Sequence, residues 1–309
     1  MQNLLPFLQS GRVRRSVTRF VKESRLLRYV RLLQPETRLW GREPGPLPSF
    51  LVIGAQRSGS TFLHDTLAAR TSAQCSPLQK EVHYFDNKYY KPLDWYARFF
   101  DSVDAEDNAV KAFETSPGYL YHPAVPGRVK ESLPDVKAVA VLRNPVERAL
   151  SQYRWMRQIG LETRDAVEAL RYDARRIDRE RDPQYLDRFE DPLYFDFDHF
   201  QRGYLRRSLY HVQLKRWLRH FPASQIRLVD SGTLFDHTQA VVQELASFLN
   251  VELREPTYED SINQNSSKSD VQIPPEARDI AQKHLTDIEG RVRALVTKDM
   301  IIGEGLCLN

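Results

Sequence analysis

The chain has 309 residues, 41% hydrophobic and 28% charged, enough apolar material for one large α/β domain, which is the expectation, or two small ones. Its net charge of +4 suits anionic ligands without calling for nucleic acid, and no apolar run reaches the ~18 residues of a membrane span. Its start lacks the make-up of a signal peptide, and two cysteines, Cys75 and Cys307, form neither a disulfide framework nor a zinc-ligand pattern, so a reducing, cytoplasmic setting is expected.

Residues 1–40 carry Val13, Val17, Phe20, Val21, Leu26, Leu27, Val30 and Leu33 at mixed three- and four-residue spacings among many arginines. This pattern predicts a basic amphipathic helix or pair of helices, either packed on the domain or serving as a peripheral membrane or partner-binding arm. The proline- and glycine-rich residues 41–48 break any helix and read as a linker. The division expected is a basic extension and linker over 1–47 and one large α/β domain over 48–309.

Residues 50–53 (Phe-Leu-Val-Ile) read as a strand, residues 54–60 as a Gly/Ser-rich turn, and residues 61–67 as the start of a helix. A loop of small residues between strand and helix converges backbone N–H groups on an anion, and Arg57 adds a full charge. Walker loops read G-x-x-x-x-G-K-[ST], whereas Gly54-Ala-Gln-Arg-Ser-Gly59 is followed by Ser60-Thr61 without the lysine. The loop therefore predicts a phosphate cradle for a nucleotide whose reacting group is not a γ-phosphoryl, and it weakens the rival reading of a nucleotide kinase with magnesium.

Lys80, Glu81, His83 and Asp86 place four ionisable side chains within seven positions. Such a cluster fits a solvated surface segment, and a carboxylate beside a histidine also fits general base catalysis. Trp95, Tyr96, Phe99 and Phe100 are spaced for core packing. Residues 112–119 read as an extended piece ending in a turn, followed by a helix near 127–132. Residues 136–142 form a second buried strand, then Arg143, with Asn144 as N-cap and Pro145 as first helical residue. Arg143 thus stands at the carboxyl end of a strand, the edge where open α/β sheets bind ligands, with Ser151 two turns into the helix.

The alternating charges of 171–190 predict a solvated helix or lid. Residues 208–219 and 238–249 read as amphipathic helices and 226–229 as a third core strand; the polar loop 263–270 precedes a helix over about 276–297. The alternation predicts a mostly parallel sheet flanked by helices.

Segments 50–67, 80–86, 139–153 and 207–230 together resemble the sulfotransferases that use 3′-phosphoadenosine 5′-phosphosulfate, most closely their heparan sulfate glucosaminyl branch, over residues 48–300. The resemblance implies that Gln56, Arg57, Ser58, Gly59, Ser60 and Thr61 bind the 5′-phosphosulfate, and that Arg143 and Ser151 bind the 3′-phosphate. It further implies that Tyr210 lies near the nucleotide and that Ser267 and Lys268 belong to a loop closing over it. Glu81 corresponds to the catalytic glutamate, with His83 beside it, and Lys80, Asp86 and Thr115 fall at acceptor-contact positions. Arg57 replaces a lysine common in the branch, Thr115 replaces another, and the late loop lacks the branch's paired cysteines, which is similar to bacterial-type members. The expected reaction is transfer of a sulfuryl group to a hydroxyl, or else an amine, of a saccharide, with no metal; a non-carbohydrate small-molecule or lipid hydroxyl is the alternative acceptor, and a non-catalytic nucleotide-binding protein a distant one.

Overall fold

A computed structural model describes residues 37–103, 110–255, 270–303 and 305–308. The predicted N-terminal helices over 1–40 fall almost wholly outside these, as do Ser267 and Lys268.

Six strands form one sheet: β1 (Phe50–Gly54), β2 (Gln74–Cys75), β3 (Ala112–Thr115), β4 (Lys137–Leu142), β5 (Ile226–Asp230) and β6 (Ile301–Ile302), in the order β2-β3-β1-β4-β5-β6. Every neighbouring pair is parallel, with Phe50 opposite both Phe113 and Lys137. Period-two alternation sends Leu51, Ile53, Ala138, Ala140 and Leu142 to one core and Phe50, Val52, Val139 and Val141 to the other. Parallel strands need both faces covered, so β1 and the core of β4 are apolar throughout.

The covering helices follow from stripes of apolar residues. α1 (Ser60–Arg70) buries Phe62, Leu63 and Leu67 on one face of the sheet. On the opposite face lie α2 (Val125–Ser132), α3 (Pro145–Gln158), α4 (Ala166–Ala174) and α5 (Tyr210–Leu218), the last through Tyr210, Leu214 and Trp217. α6 (Thr238–Leu249) joins α1 on its face, while α7 (Pro275–His284) packs on α3 and α4. Each such fully buried Leu, Val or Phe contributes about 1.5–3 kcal/mol of transfer free energy. The start of α3 matches its sequence signal: Asn144 accepts the backbone N–H of Glu147 at 2.9 Å, and Pro145 occupies the first turn.

Two segments depart from expectation. Residues 171–190 are not a solvated helix. α4 ends at Ala174, and short helical turns follow, because Asp173 and Glu180 are drawn inside by Arg206, whose Nε lies 2.6 Å from Asp173. The helix predicted over 276–297 is two, α7 and α8 (Ile288–Arg293), separated at Asp287, whose φ of 54° is left-handed.

Candidate active site

The loop of residues 55–59 begins where β1 runs out. A Cβ on Gly54 would sit 2.7 Å from the Cβ of Leu120, so only glycine lets the strand end pass this close. Arg57 and Gly59 then take left-handed φ values of 69° and 102°, which fold the loop over the first turn of α1. No side chain of residue 59 caps that turn, so the N–H groups of its first residues, which lack intrahelical acceptors by geometry, can donate to an anion.

β4 ends beside this loop and delivers Arg143. Its Nη1 donates to the Arg57 carbonyl at 3.3 Å, while Tyr210, buried on α5, donates its hydroxyl to the Arg143 carbonyl at 2.9 Å. The Arg57 Nε donates to the Ser151 hydroxyl at 3.3 Å, with its guanidinium 5.3 Å from the Trp155 ring centroid. Burial first, and then repulsion from Arg143, holds Arg57 below the ordinary arginine pKa. Two neighbouring guanidiniums repel one another, a repulsion that a phosphorylated ligand would relieve. Arg57, Arg143, Ser151 and Tyr210, 153 positions apart at the extremes, are thus brought together; Ser58 and Ser60 are buried within the loop.

Residues 80–86 approach from the other side. The Lys80 ammonium donates to the Thr61 hydroxyl at the start of α1 and lies 3.6 Å from Glu81. Although the Walker lysine is missing from the loop, an ammonium reaches it from a different segment. The Glu81 Oε2 is 3.1 Å from His83 Nε2, and His83 Nδ1 is 3.0 Å from Asp86 Oδ2. Burial by itself would lower the His83 pKa, but Asp86, and after it Glu81, raise it to about 10. The imidazole is therefore a cation at neutral pH that donates from both nitrogens, one to each carboxylate. Burial pushes the Glu81 and Asp86 pKa values up and the hydrogen bond and charge of His83 pull them down; both end below their ordinary values.

Glu114 in β3 holds this segment in place. It is 1% exposed, and its Oε1 accepts the backbone N–H groups of Val82 at 3.1 Å and His83 at 3.2 Å. Tyr96, Ser116 and Tyr119 donate hydroxyls to the same carboxylate. With these bonds satisfied, His83 can occupy its left-handed φ of 58°. Sequence reasoning passed over Glu114, yet the signal was there: a carboxylate inside the short strand Ala-Phe-Glu-Thr needs buried partners.

The remaining predicted positions are less direct. Thr115 is fully buried, its hydroxyl 2.9 Å from His64 Nδ1, so in this structure its side chain faces the interior rather than an acceptor. His64 is neutral at pH 7, since burial and then Lys80 lower its pKa to about 4. Asp86 is buried behind His83 and contacts its Nδ1. Lys80 points to the start of α1. Arg207, from the segment before α5, donates to the Gln56 side chain and ties the loop to the cleft beyond.

That cleft, about 460 Å³, opens against Glu81, His83 and Gln56 and is walled by Tyr90, Phe195 and Phe200. Its position at the carboxyl ends of β1 and β3 is where open α/β sheets bind ligands. Among the described residues no group of three His, Cys, Asp or Glu side chains could hold a metal, and no helix is long and apolar enough to cross a membrane.

The chain is 32% identical to the Bos taurus bifunctional heparan sulfate N-deacetylase/N-sulfotransferase 2 over 222 residues, 69% of this chain but 23% of the relative. It is 27% identical over 266 residues to the membrane-associated sulfotransferase kil1 of Dictyostelium discoideum, covering 66% of this chain and 56% of that one. The chain therefore spans about a quarter of the heparan sulfate relatives it matches. A sulfotransferase crystal structure from Alicyclobacillus acidocaldarius has the same fold, with a TM-score of 0.60 at 24% identity over 81% of this chain and 96% of that one. Residues 47–286 match the model of the sulfotransferase domain, and the chain accordingly belongs to the sulfotransferase family.

Proposed function

We propose that the protein transfers a sulfuryl group from 3′-phosphoadenosine 5′-phosphosulfate to a hydroxyl of a saccharide. The observation that carries this reading is the meeting of a phosphate cradle and a carboxylate–imidazolium–carboxylate row, joined where Lys80 contacts Thr61. A donor-binding protein alone would not need the row, and a surface cluster would not be anchored by Glu114.

In this reading Arg143 and Ser151 take the 3′-phosphate, while Arg57, the loop N–H groups and Lys80 take the phosphosulfate. The Glu81 carboxylate, ionised at neutral pH, removes the acceptor's hydroxyl proton as the acceptor oxygen forms its bond to sulfur. The bond from sulfur to the bridging oxygen breaks, its electron pair leaves with adenosine 3′,5′-bisphosphate, and the cations stabilise the charge that develops there. His83 keeps Glu81 oriented and ionised, and Asp86 keeps His83 cationic. No step calls for a metal. Ser267 and Lys268 belong to the same proposal as a closing loop, and Cys75 and Cys307, both free thiols, suit a reducing, cytoplasmic setting.

Calorimetric titration of the full chain with adenosine 3′,5′-bisphosphate, alongside ATP with magnesium, tests the donor class. Tight binding of the bisphosphate supports the reading; binding of ATP with magnesium alone would reject it in favour of a kinase.

A further inference from the structure

We infer that the acceptor cleft takes an uncharged glycosyl unit and discriminates against polyanionic chains; this rests on the sulfotransferase reading above. The first ground is the chemistry of the wall. Gln56, Gln79, Asn87 and Gln201 line the cleft with side-chain amides, which pair donors and acceptors with hydroxyls and carry no charge. Gln79 is already oriented, donating from Nε2 to the Glu81 carbonyl at 2.9 Å. Its position makes the amide wall continuous with the catalytic segment.

The second ground is the aromatic face. Phe195 stacks on Phe200 with ring centroids 4.9 Å apart and planes 7° from parallel, and Phe197 and Tyr90 continue the lining. A flat apolar surface opposite amides is what a sugar ring, with one C–H face and a rim of hydroxyls, can satisfy at once.

The third ground is charge. Among the described residues, the lining cations apart from His83 are Lys88 and Arg207, and both are engaged with the protein. The Lys88 ammonium lies 5.0 Å from the Trp95 ring centroid; Arg207 donates to Gln56 and lies over Tyr121 at 4.8 Å. Glu81 faces the same space with Asp86 buried behind His83, so a chain of carboxylates or sulfates would enter against the Glu81 carboxylate and, among the described residues, would meet lining cations that the protein already engages. The 460 Å³ volume is of the size that holds a small ligand or one or two glycosyl units. Such a preference would separate this chain from the relatives named for heparan sulfate.

The test supplies the full chain with 3′-phosphoadenosine 5′-[³⁵S]phosphosulfate and two acceptor sets: neutral glycosides (alkyl glucosides, galactosides and neutral disaccharides) and a polyanionic polyuronate, N-acetylated heparosan. Label should pass to at least one neutral glycoside with kcat/KM roughly tenfold or more above the polyuronate, and vary less than about twofold when the salt is raised enough to screen surface charge. Gln201→Ala and Phe195→Ala should each raise that acceptor's KM roughly tenfold, with donor KM nearly unchanged. Transfer to the polyuronate alone, with a steep salt dependence, or to no neutral glycoside, overturns the inference. Calorimetry with adenosine 3′,5′-bisphosphate on the same preparation separates the failures. Bound nucleotide with label only on the polyuronate rejects the neutral acceptor and leaves the donor class standing, whereas no bound nucleotide rejects the sulfotransferase reading itself.

Discussion

The buried Glu114 carboxylate accepts the backbone N–H of His83 at 3.2 Å, so a residue that touches neither ligand site sets the position of the one between Glu81 and Asp86. Glu114→Gln would turn an amide N–H toward backbone donors. A loss of about 1–3 kcal/mol of stability is expected from the unsatisfied groups. If Glu114 positions the catalytic segment, kcat should also fall, roughly 10- to 100-fold, with bisphosphate affinity retained. The alkaline limb of the rate profile should shift as well, because His83 no longer sits squarely between its carboxylates. A variant that only melts earlier, with kcat and pH profile intact, would show Glu114 to be structural alone.

Glu81→Gln keeps the size and most hydrogen bonding of the side chain while removing the base. We expect kcat to drop by about 10²–10⁴ while bisphosphate binding, measured by calorimetry, changes little. Full turnover in the variant would remove Glu81 from the role of base.

Arg143→Ala should weaken adenosine 3′,5′-bisphosphate by roughly 10- to 100-fold, the worth of a lost charge-assisted contact of about 1.5–3 kcal/mol, and the 5′-monophosphate far less. The comparison matters because Arg143 also donates to the Arg57 carbonyl. Equal losses for both nucleotides would mean that the substitution only loosened the loop.

The raised pKa of His83 predicts a direction for stability. A histidine at about 6.5 when unfolded and about 10 when folded binds more protons in the folded state between those values. Its contribution is therefore complete below about pH 6.5 and disappears as the pH rises through about 10. Denaturant titrations of the wild type and His83→Gln, run from about pH 6 to about pH 10, should show the gap between them narrowing as pH increases. A constant gap would mean that the imidazole is not held as a cation.

Much of the framework was legible in the chain itself. The strands at 50–54, 137–142 and 226–230 declared themselves by short apolar runs, α3 by Asn144 and Pro145, and the turn after β1 by its glycines. These are local signals: propensity, capping and periodicity act over a few residues, so a linear reading can find them. Glu81, His83 and Asp86 were visible as a cluster for the same reason, since they lie within one turn of chain.

Tertiary structure decided what those residues meet. Placing β3 next to β1 brings Glu114 under His83 and turns Thr115 inward to His64. Lys80 reaches Thr61 across the cleft, and Arg207 reaches Gln56 from 151 positions away. The charged stretch at 171–190 looked solvated because its partner, Arg206, lies more than thirty positions from Asp173, and only folding sets their charges 2.6 Å apart. Charge and burial are properties of a neighbourhood, and in a parallel sheet neighbours are joined by long crossovers, so strand order alone determines which distant side chains share a site.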